Sequence, residues 1–168
     1  MTVIAYKNGL IAADSMVGSN NHFAGNVGKI ARNSAGDLIG TSGLTSWCAA
    51  MVQWFAKNER GKMPFLSRGN QDHAPASAII VRQNSPGFVY VVECDTQLPP
   101  FRIMIDPKCG IAIGNGREVA RGAMFAGADA ITAVKAAIYL EDGCGGDIHA
   151  FRFKGGPIIL HQAKGYER

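Results

Sequence analysis

The chain opens with Met1-Thr-Val-Ile-Ala-Tyr-Lys-Asn-Gly-Leu-Ile-Ala-Ala-Asp-Ser15, and this stretch carries the strongest local structural signal in the sequence. Two short apolar runs flank Asn8-Gly9. Asn-Gly favours a two-residue type I′ turn, because both central residues of that turn have positive φ. We therefore predict that Val3–Lys7 and Leu10–Ala13 pair as antiparallel strands. This pairing would return Asp14 to the start of the chain.

Thr2 has the chemistry of an N-terminal nucleophile, provided that Met1 is removed. Threonine is small enough to permit removal of the initiator methionine, which would leave a free α-amine beside the Thr2 hydroxyl. An amine with a pKa of ~8 can accept the hydroxyl proton at neutral pH, so one residue supplies nucleophile and base. Many chains begin Met-Thr, and an aspartate such as Asp14 usually just ends a hairpin. The two residues alone therefore do not establish catalysis.

Length, composition and charge exclude several classes of protein. The 168 residues favour one domain over 1–168, and 47% hydrophobic with 18% charged residues is typical of a globular chain. The net charge is +4, but the basic residues are scattered, so we expect no nucleic-acid partner. No apolar run approaches the ~18 residues of a membrane span, so we expect no membrane association.

The cysteines and glycines indicate neither a metal nor a cofactor. The four cysteines are far apart, and none has a zinc-ligand spacing with a histidine, so we expect reduced thiols in the cytoplasm. Gly114-x-Gly116 lacks the βαβ context and the acidic residue of a dinucleotide-binding loop. Cys144 lies between glycines, but no histidine is close enough in sequence to activate it as a nucleophile.

Turn residues and hydrophobic spacing predict the remaining elements. We expect a loop over Val17–Asn26, and a helix capped by Thr45 or Ser46 that runs to about Arg60 with Gly61 as its stop. Trp47, Met51, Trp54 and Phe55 recur at helical spacing and should face the core. The other predicted helices are Arg117–Ala126 and, begun by Asp129, Ala130–Leu140. The other predicted strands are Lys29–Arg32, Asp37–Thr41, Ser77–Val81, Phe88–Cys94, Arg102–Ile105, Gly110–Ile113, Ile148–Phe153 and Ile158–His161. Hairpins segregated from long helices indicate an α+β protein.

Five short motifs, in order along nearly the whole chain, resemble the β-type subunits of the proteasome and the bacterial peptidase of the heat-shock locus. They are TVIAYKNGLIAADS at the start, GNVGKI around Lys29, GTSG before the first helix, AIGNG before the second, and EDGCGG near the end. The family are N-terminal-nucleophile hydrolases. The resemblance implies a four-layer αββα sandwich, in which helices cover two antiparallel sheets that pack face to face.

The resemblance also implies a role for each matching residue. Thr2 would be the nucleophile, and its α-amine would accept or shuttle the proton. Lys29 would favour the ionised hydroxyl, Asp14 would orient Lys29, and the N–H of Gly43 would stabilise the oxyanion. Val27, Ala31 and Thr45 match positions where the family builds its first specificity pocket, and they suggest a small, mostly apolar pocket.

Two of the motifs depart from the family pattern. Asn115 stands where the family usually has serine, although an asparagine can still form a hydrogen bond with the terminal amine. The family's late Asp-x-x-Ser-Gly-Gly is here Glu141-x-x-Cys144 before Gly145-Gly146, and Asp142 could compete with Glu141 for its role. Cysteine is also a weaker hydrogen-bond donor than serine.

The expected function is therefore that of a threonine endopeptidase in a self-compartmentalised complex. The resemblance implies homo-oligomeric stacked rings with six or seven members and peptide or unfolded-protein substrates. It leaves open whether an ATP-dependent unfoldase is a partner, and such a motor would be a separate chain. The departures leave open a catalytically silent, proteasome-like ring or scaffold protein. An amidase for small amides is a third alternative, which the order of the motifs disfavours.

Overall fold

A computed structural model describes residues 2–19, 22–64, 76–94, 101–105 and 109–161, which form an α+β protein with two five-stranded antiparallel sheets and three helices. The strands are β1 (Val3–Lys7), β2 (Leu10–Asp14), β3 (Met16–Ser19), β4 (His22–Asn26), β5 (Ile30–Arg32), β6 (Leu38–Ser42), β7 (Ala76–Val81), β8 (Val89–Cys94), β9 (Phe101–Ile105), β10 (Ile111–Gly114), β11 (Ile148–Arg152) and β12 (Ile158–Leu160). The helices are α1 (Thr45–Ala56), α2 (Arg117–Phe125) and α3 (Ala130–Leu140).

The opening hairpin forms as predicted. Asn8 and Gly9 have φ of +50° and +79°, as a type I′ turn requires. Ile4 pairs with Ala13, which brings Asp14 opposite the first residues of β1. The hairpin is also central to its sheet, whose strand order is β10-β1-β2-β11-β12. Local turn chemistry thus fixes the position of Asp14 relative to Thr2.

Among the described residues, the buried apolar side chains form three clusters that alternate with the two five-stranded sheets. One cluster joins β1 and β2 to α2 and α3, and includes Val3, Ala5, Ala133 and Ala137. A second joins the first sheet to the second, whose order is β5-β6-β7-β8-β9, and includes Ile4 and Leu38. The third joins the second sheet to α1 through Trp47, Met51, Trp54 and Phe55, whose predicted burial is confirmed.

The predicted loop over Val17–Asn26 is wrong. Residues 16–19 and 22–26 pair as the β3–β4 hairpin, with a shift of register after Val17. Backbone hydrogen bonds attach this hairpin to its surroundings, from Met16 N–H to Gly145 O (2.9 Å) and from Val27 N–H to Ser15 O (2.8 Å). Glycine, serine and asparagine have low strand propensity, so the sequence gives no local signal for β3 and β4. Backbone hydrogen bonds hold these two strands in place.

Both predicted ends of α1 are also wrong. The helix already begins at Thr45, and its N-cap residue is Leu44, which has no polar side-chain atom and makes no capping bond. Gly43, which precedes it, has φ of +121°. The helix ends at Ala56 rather than near Arg60, because Asn58 and Glu59 take positive φ. By contrast, α3 begins as predicted, since the Asp129 side chain accepts a hydrogen bond from Thr132 N–H.

We expect Gly40→Ala to destabilise the protein by about 1–3 kcal/mol through overpacking between the two sheets. A Cβ at Gly40 on β6 would lie 2.6 Å from Ile4 Cγ2 on β1 and 3.1 Å from Ile11 Cδ1 on β2, both fully buried. Gly122→Ala on α2 is the control: a Cβ there meets nothing within 4 Å, so it should stabilise the helix by about 0.5–1 kcal/mol. Urea denaturation measures both changes, and equal unfolding midpoints for Gly40→Ala and wild type would contradict this packing.

Candidate active site

Asp14 is the centre of the candidate site. Its side chain is fully buried at the end of β2. One carboxylate oxygen, Oδ1, accepts hydrogen bonds from Thr2 Oγ1 (3.3 Å), Val3 N–H (2.9 Å) and Lys29 Nζ (2.8 Å). The other oxygen, Oδ2, accepts from Gly145 N–H (3.1 Å). A buried carboxylate needs such partners, because burial removes the water that would otherwise solvate it.

Lys29 contributes the positive charge of the site. It immediately precedes β5, and its side chain is 7% exposed. Its Nζ also donates to Met16 O (2.6 Å). Burial lowers the pKa of Lys29 below its ordinary value, and the negative charge and hydrogen bond of Asp14 partly oppose this shift.

The lowered pKa of Lys29 has a defined effect on stability. A lysine whose pKa is lower in the folded than in the unfolded state binds fewer protons when folded. Its charged form therefore reduces stability at pH values below the folded pKa, and that cost disappears as the pH rises from the folded pKa past the unfolded value near 10.5. The site thus holds a cation that burial alone would disfavour.

Thr2 lies against the turn that precedes α2. Its hydroxyl donates to Asp14, and its carbonyl accepts from Gly116 N–H (3.3 Å). Gly114 has φ of +89°, and a Cβ there would lie 2.3 Å from Thr2 O. Only glycine therefore fits at position 114, against Thr2. Thr2 itself is 6% exposed. Met1, whose removal the nucleophile hypothesis requires, lies outside the described residues.

Cys144 lies in the same region but lacks the properties of a nucleophile. It is buried, and burial together with the negative charge of Asp14 raises the pKa of its thiol to about 12. Its sulfur packs beneath Gly116, where a Cβ would lie 2.9 Å from Sγ. Cys144 therefore links the turn before α2 to the loop after α3 as a neutral thiol.

For the other predicted residues, the structure describes no hydrogen bond to Thr2. Gly43 is exposed just before α1, and Asn115 is exposed in the turn before α2. Glu141 is half-buried at the end of α3, where its carbonyl accepts from Cys144 N–H (3.0 Å). The three predicted pocket residues differ in exposure: Val27 is 40% exposed, Ala31 packs against the α1 cluster, and Thr45 is exposed at the start of α1.

Sequence reasoning missed the part that backbone groups play in the site. Gly145 donates to Asp14, Met16 O accepts from Lys29, and Gly116 donates to Thr2. The glycine-rich EDGCGG and AIGNG motifs signalled close approach of backbone, but not which group each amide would contact.

Within the described ranges, no cluster of three or more histidine, cysteine, aspartate or glutamate side chains is placed to hold a metal ion. None of the helices described has the length and apolar character needed to cross a membrane. Both statements concern only the part of the chain that the structure describes.

Comparison of whole chains identifies the class of fold. Solved structures with this fold cover nearly all of the chain, and they include a proteasome-like N-terminal-nucleophile peptidase. That peptidase is eukaryotic HslV from Trypanosoma brucei, with a TM-score of 0.61 and 18% identity over 96% of this chain and 99% of that one. Thiobacillus denitrificans BPH matches with a TM-score of 0.56 and 17% identity over 98% and 99%. No family model and no curated protein matches the sequence. At this identity the likeness shows a shared fold.

We expect the Asp14–Lys29 pair to be strongly coupled. Lys29→Met would leave a buried carboxylate without its cation, at a cost of about 3–5 kcal/mol. Asp14→Asn with Lys29→Met should cost about 1–3 kcal/mol less than the sum of the single changes. The free energy of unfolding in urea measures the cycle. The exposed Arg117–Glu118 pair serves as the control, with a coupling of about 0.5 kcal/mol or less. Equal coupling energies in the two pairs would contradict the buried, hydrogen-bonded contact between Asp14 and Lys29.

We expect Cys144 to resist alkylation in the folded protein. With a pKa of about 12, about 1 thiol in 10⁴ is ionised at pH 8, and the side chain is also buried. Brief treatment with iodoacetamide at pH 8, followed by peptide mass spectrometry, should modify the exposed Cys109 and spare Cys144 until the protein is unfolded. Rapid modification of Cys144 in the folded state would restore it as a candidate nucleophile.

Proposed function

We propose that the chain is a threonine endopeptidase with a proteasome-like, N-terminal-nucleophile fold, in which α1, the two sheets and the α2–α3 pair form a four-layer αββα sandwich over one domain, 1–168. The observation that carries this proposal is the convergence of the Thr2 hydroxyl and the Lys29 ammonium on one oxygen of buried Asp14. The fold shared with HslV supports it.

The proposed reaction is the hydrolysis of a peptide bond through an acyl-enzyme. Removal of Met1 frees the Thr2 α-amine, which accepts the proton of Oγ1 as that oxygen attacks the substrate carbonyl. Lys29 stabilises the negative charge that develops on Oγ1 as its proton leaves, before the charge moves to the carbonyl oxygen, while Asp14 holds Lys29 in place. The proton passes to the leaving amine when the peptide bond breaks, and water then attacks the ester, which releases the acyl product and restores Thr2.

The remaining predicted residues have supporting roles in this proposal. Gly43 N–H would donate to the oxyanion, a contribution of about 3 kcal/mol for one well-placed donor. Asn115, Glu141 and Cys144 would surround the freed amine. Val27, Ala31 and Thr45 would line the first specificity pocket.

The proposal extends to the location, assembly and substrates of the protein. The protein would act in the cytoplasm as homo-oligomeric stacked rings, six- or seven-fold, with Thr2 facing an internal chamber. Peptides or unfolded proteins would be its substrates, and a separate ATP-dependent unfoldase could deliver them. The exposed apolar side chains of Phe125 on α2 and of Tyr139 and Leu140 on α3 are compatible with packing between subunits.

Intact mass, measured before and after treatment with a peptide epoxyketone, tests this function. We expect loss of Met1 and one covalent adduct per chain, because the inhibitor reacts with both the hydroxyl and the amine of an N-terminal threonine. Thr2→Ala should form no adduct and lose peptidase activity by at least about 10³-fold. Thr132→Ala, which removes an exposed hydroxyl on α3, should retain the adduct.

The same mass measurement can also rule out the hydrolase proposal. If protein from its native host retains Met1 and forms no adduct, the hydrolase proposal fails. The silent ring or scaffold protein would then be the better account, because a blocked amine cannot accept the hydroxyl proton.

A further inference from the structure

We infer that the backbone N–H of Gly145 is a positioning group of the site, which fixes the Asp14 carboxylate and through it Lys29 and Thr2. This inference deepens the proposed function and rests on it. Gly145 lies in the loop between α3 and β11, far from Asp14 in sequence. Its N–H donates to Asp14, so it would act on Thr2 and Lys29 through that carboxylate.

The hydrogen bonds of Asp14 show how a donor at Oδ2 fixes the orientation of the carboxylate. Oδ1 accepts from Thr2, Val3 and Lys29, which come from the chain start and from the residue before β5. Oδ2 accepts from Gly145 N–H at 3.1 Å, and the carboxylate has no exposed surface at which water could replace that donor. A carboxylate held through both oxygens cannot rotate about its Cβ–Cγ bond without losing a hydrogen bond.

The contacts of Gly145 close a cycle of four hydrogen bonds. Gly145 N–H donates to Asp14, and Lys29 Nζ donates to both Asp14 (2.8 Å) and Met16 O (2.6 Å). Met16 N–H donates to Gly145 O (2.9 Å), which completes the cycle. Each member therefore limits the movement of the next, and the position of Lys29 Nζ depends on the loop after α3.

The Met16 side chain lies close to Gly145. A Cβ at Gly145 would lie 3.0 Å from Met16 Sδ, so a larger residue would press on the side chain of the residue whose carbonyl accepts from Lys29. The N–H and the C=O of Gly145 bond to Asp14 and to Met16, so this one residue makes two contacts of the cycle.

The sharpest test replaces the Gly145 N–H by an ester oxygen, which removes the donor without adding a side chain. Cys144 makes the full chain accessible to ligation: residues 2–143 are produced as a thioester and joined to a synthetic peptide of residues 144–168 that carries glycolate at 145. The matched control carries the ester at Gly146, one residue beyond the Asp14 contact. A wild-type chain ligated at the same bond provides the reference.

We expect the ester at 145 to lower kcat by about tenfold and to leave KM within about twofold, because misplacement of the reacting groups affects the transition state more than substrate binding. The ester at 146 should keep kcat within about twofold of the reference. A kcat at the reference value for the 145 ester would overturn the inference, as would a raised KM with unchanged kcat.

A second measurement separates failure of this inference from failure of the proposed function. NMR titration of ¹³C-labelled lysine reports the pKa of Lys29 and needs no catalysis. Asp14 opposes the effect of burial on that pKa, so release of Asp14 by the 145 ester should lower the Lys29 pKa further than in the reference chain. An unchanged Lys29 pKa would overturn the inference even if the reference chain proved to have no peptidase activity.

Discussion

The rest of the structure has to supply hydrogen-bond donors and a positive charge to one buried carboxylate, that of Asp14. Asp14 needs donors from several directions, because an ion without water is stable in a protein only when it is paired and hydrogen-bonded. The start of β1, the residue before β5 and the loop after α3 supply those donors. The site can therefore exist only when the opening hairpin, the second sheet and the loop after α3 have assembled, which couples its geometry to the fold.

Sequence reasoning succeeded where a short segment determines its own geometry. Asn8-Gly9 specifies the turn, the turn specifies the register, and the register places Asp14 beside Thr2 and Val3. The Asp129 cap of α3 and the buried face of α1 are local in the same sense. The Thr2–Asp14–Lys29 cluster needed the family resemblance as well, because no local signal distinguishes Lys29 from an ordinary lysine beside a strand.

The missed features are those that distant backbone groups determine. The β3–β4 hairpin has little strand propensity of its own, and it is held where Met16 pairs with Gly145. The end of α1 depends on Asn58 and on Glu59, whose side chain pairs with Arg82 directly after β7. No window of sequence contains these partners together, so only the assembled chain shows them.

The electrostatics of the site also suggest why its parts are held so firmly. Burial disfavours the charge on Lys29, and Asp14 restores part of what burial removes. In the structure the Thr2 hydroxyl donates to that same carboxylate, so Asp14 competes for the proton that catalysis must move elsewhere. A free α-amine on Thr2 would offer a second acceptor within the same residue, and Lys29 would remain to stabilise the ionised oxygen. Removal of Met1 would thus give the Thr2 hydroxyl a second proton acceptor, its own α-amine, in a site where Asp14 and Lys29 are already in place.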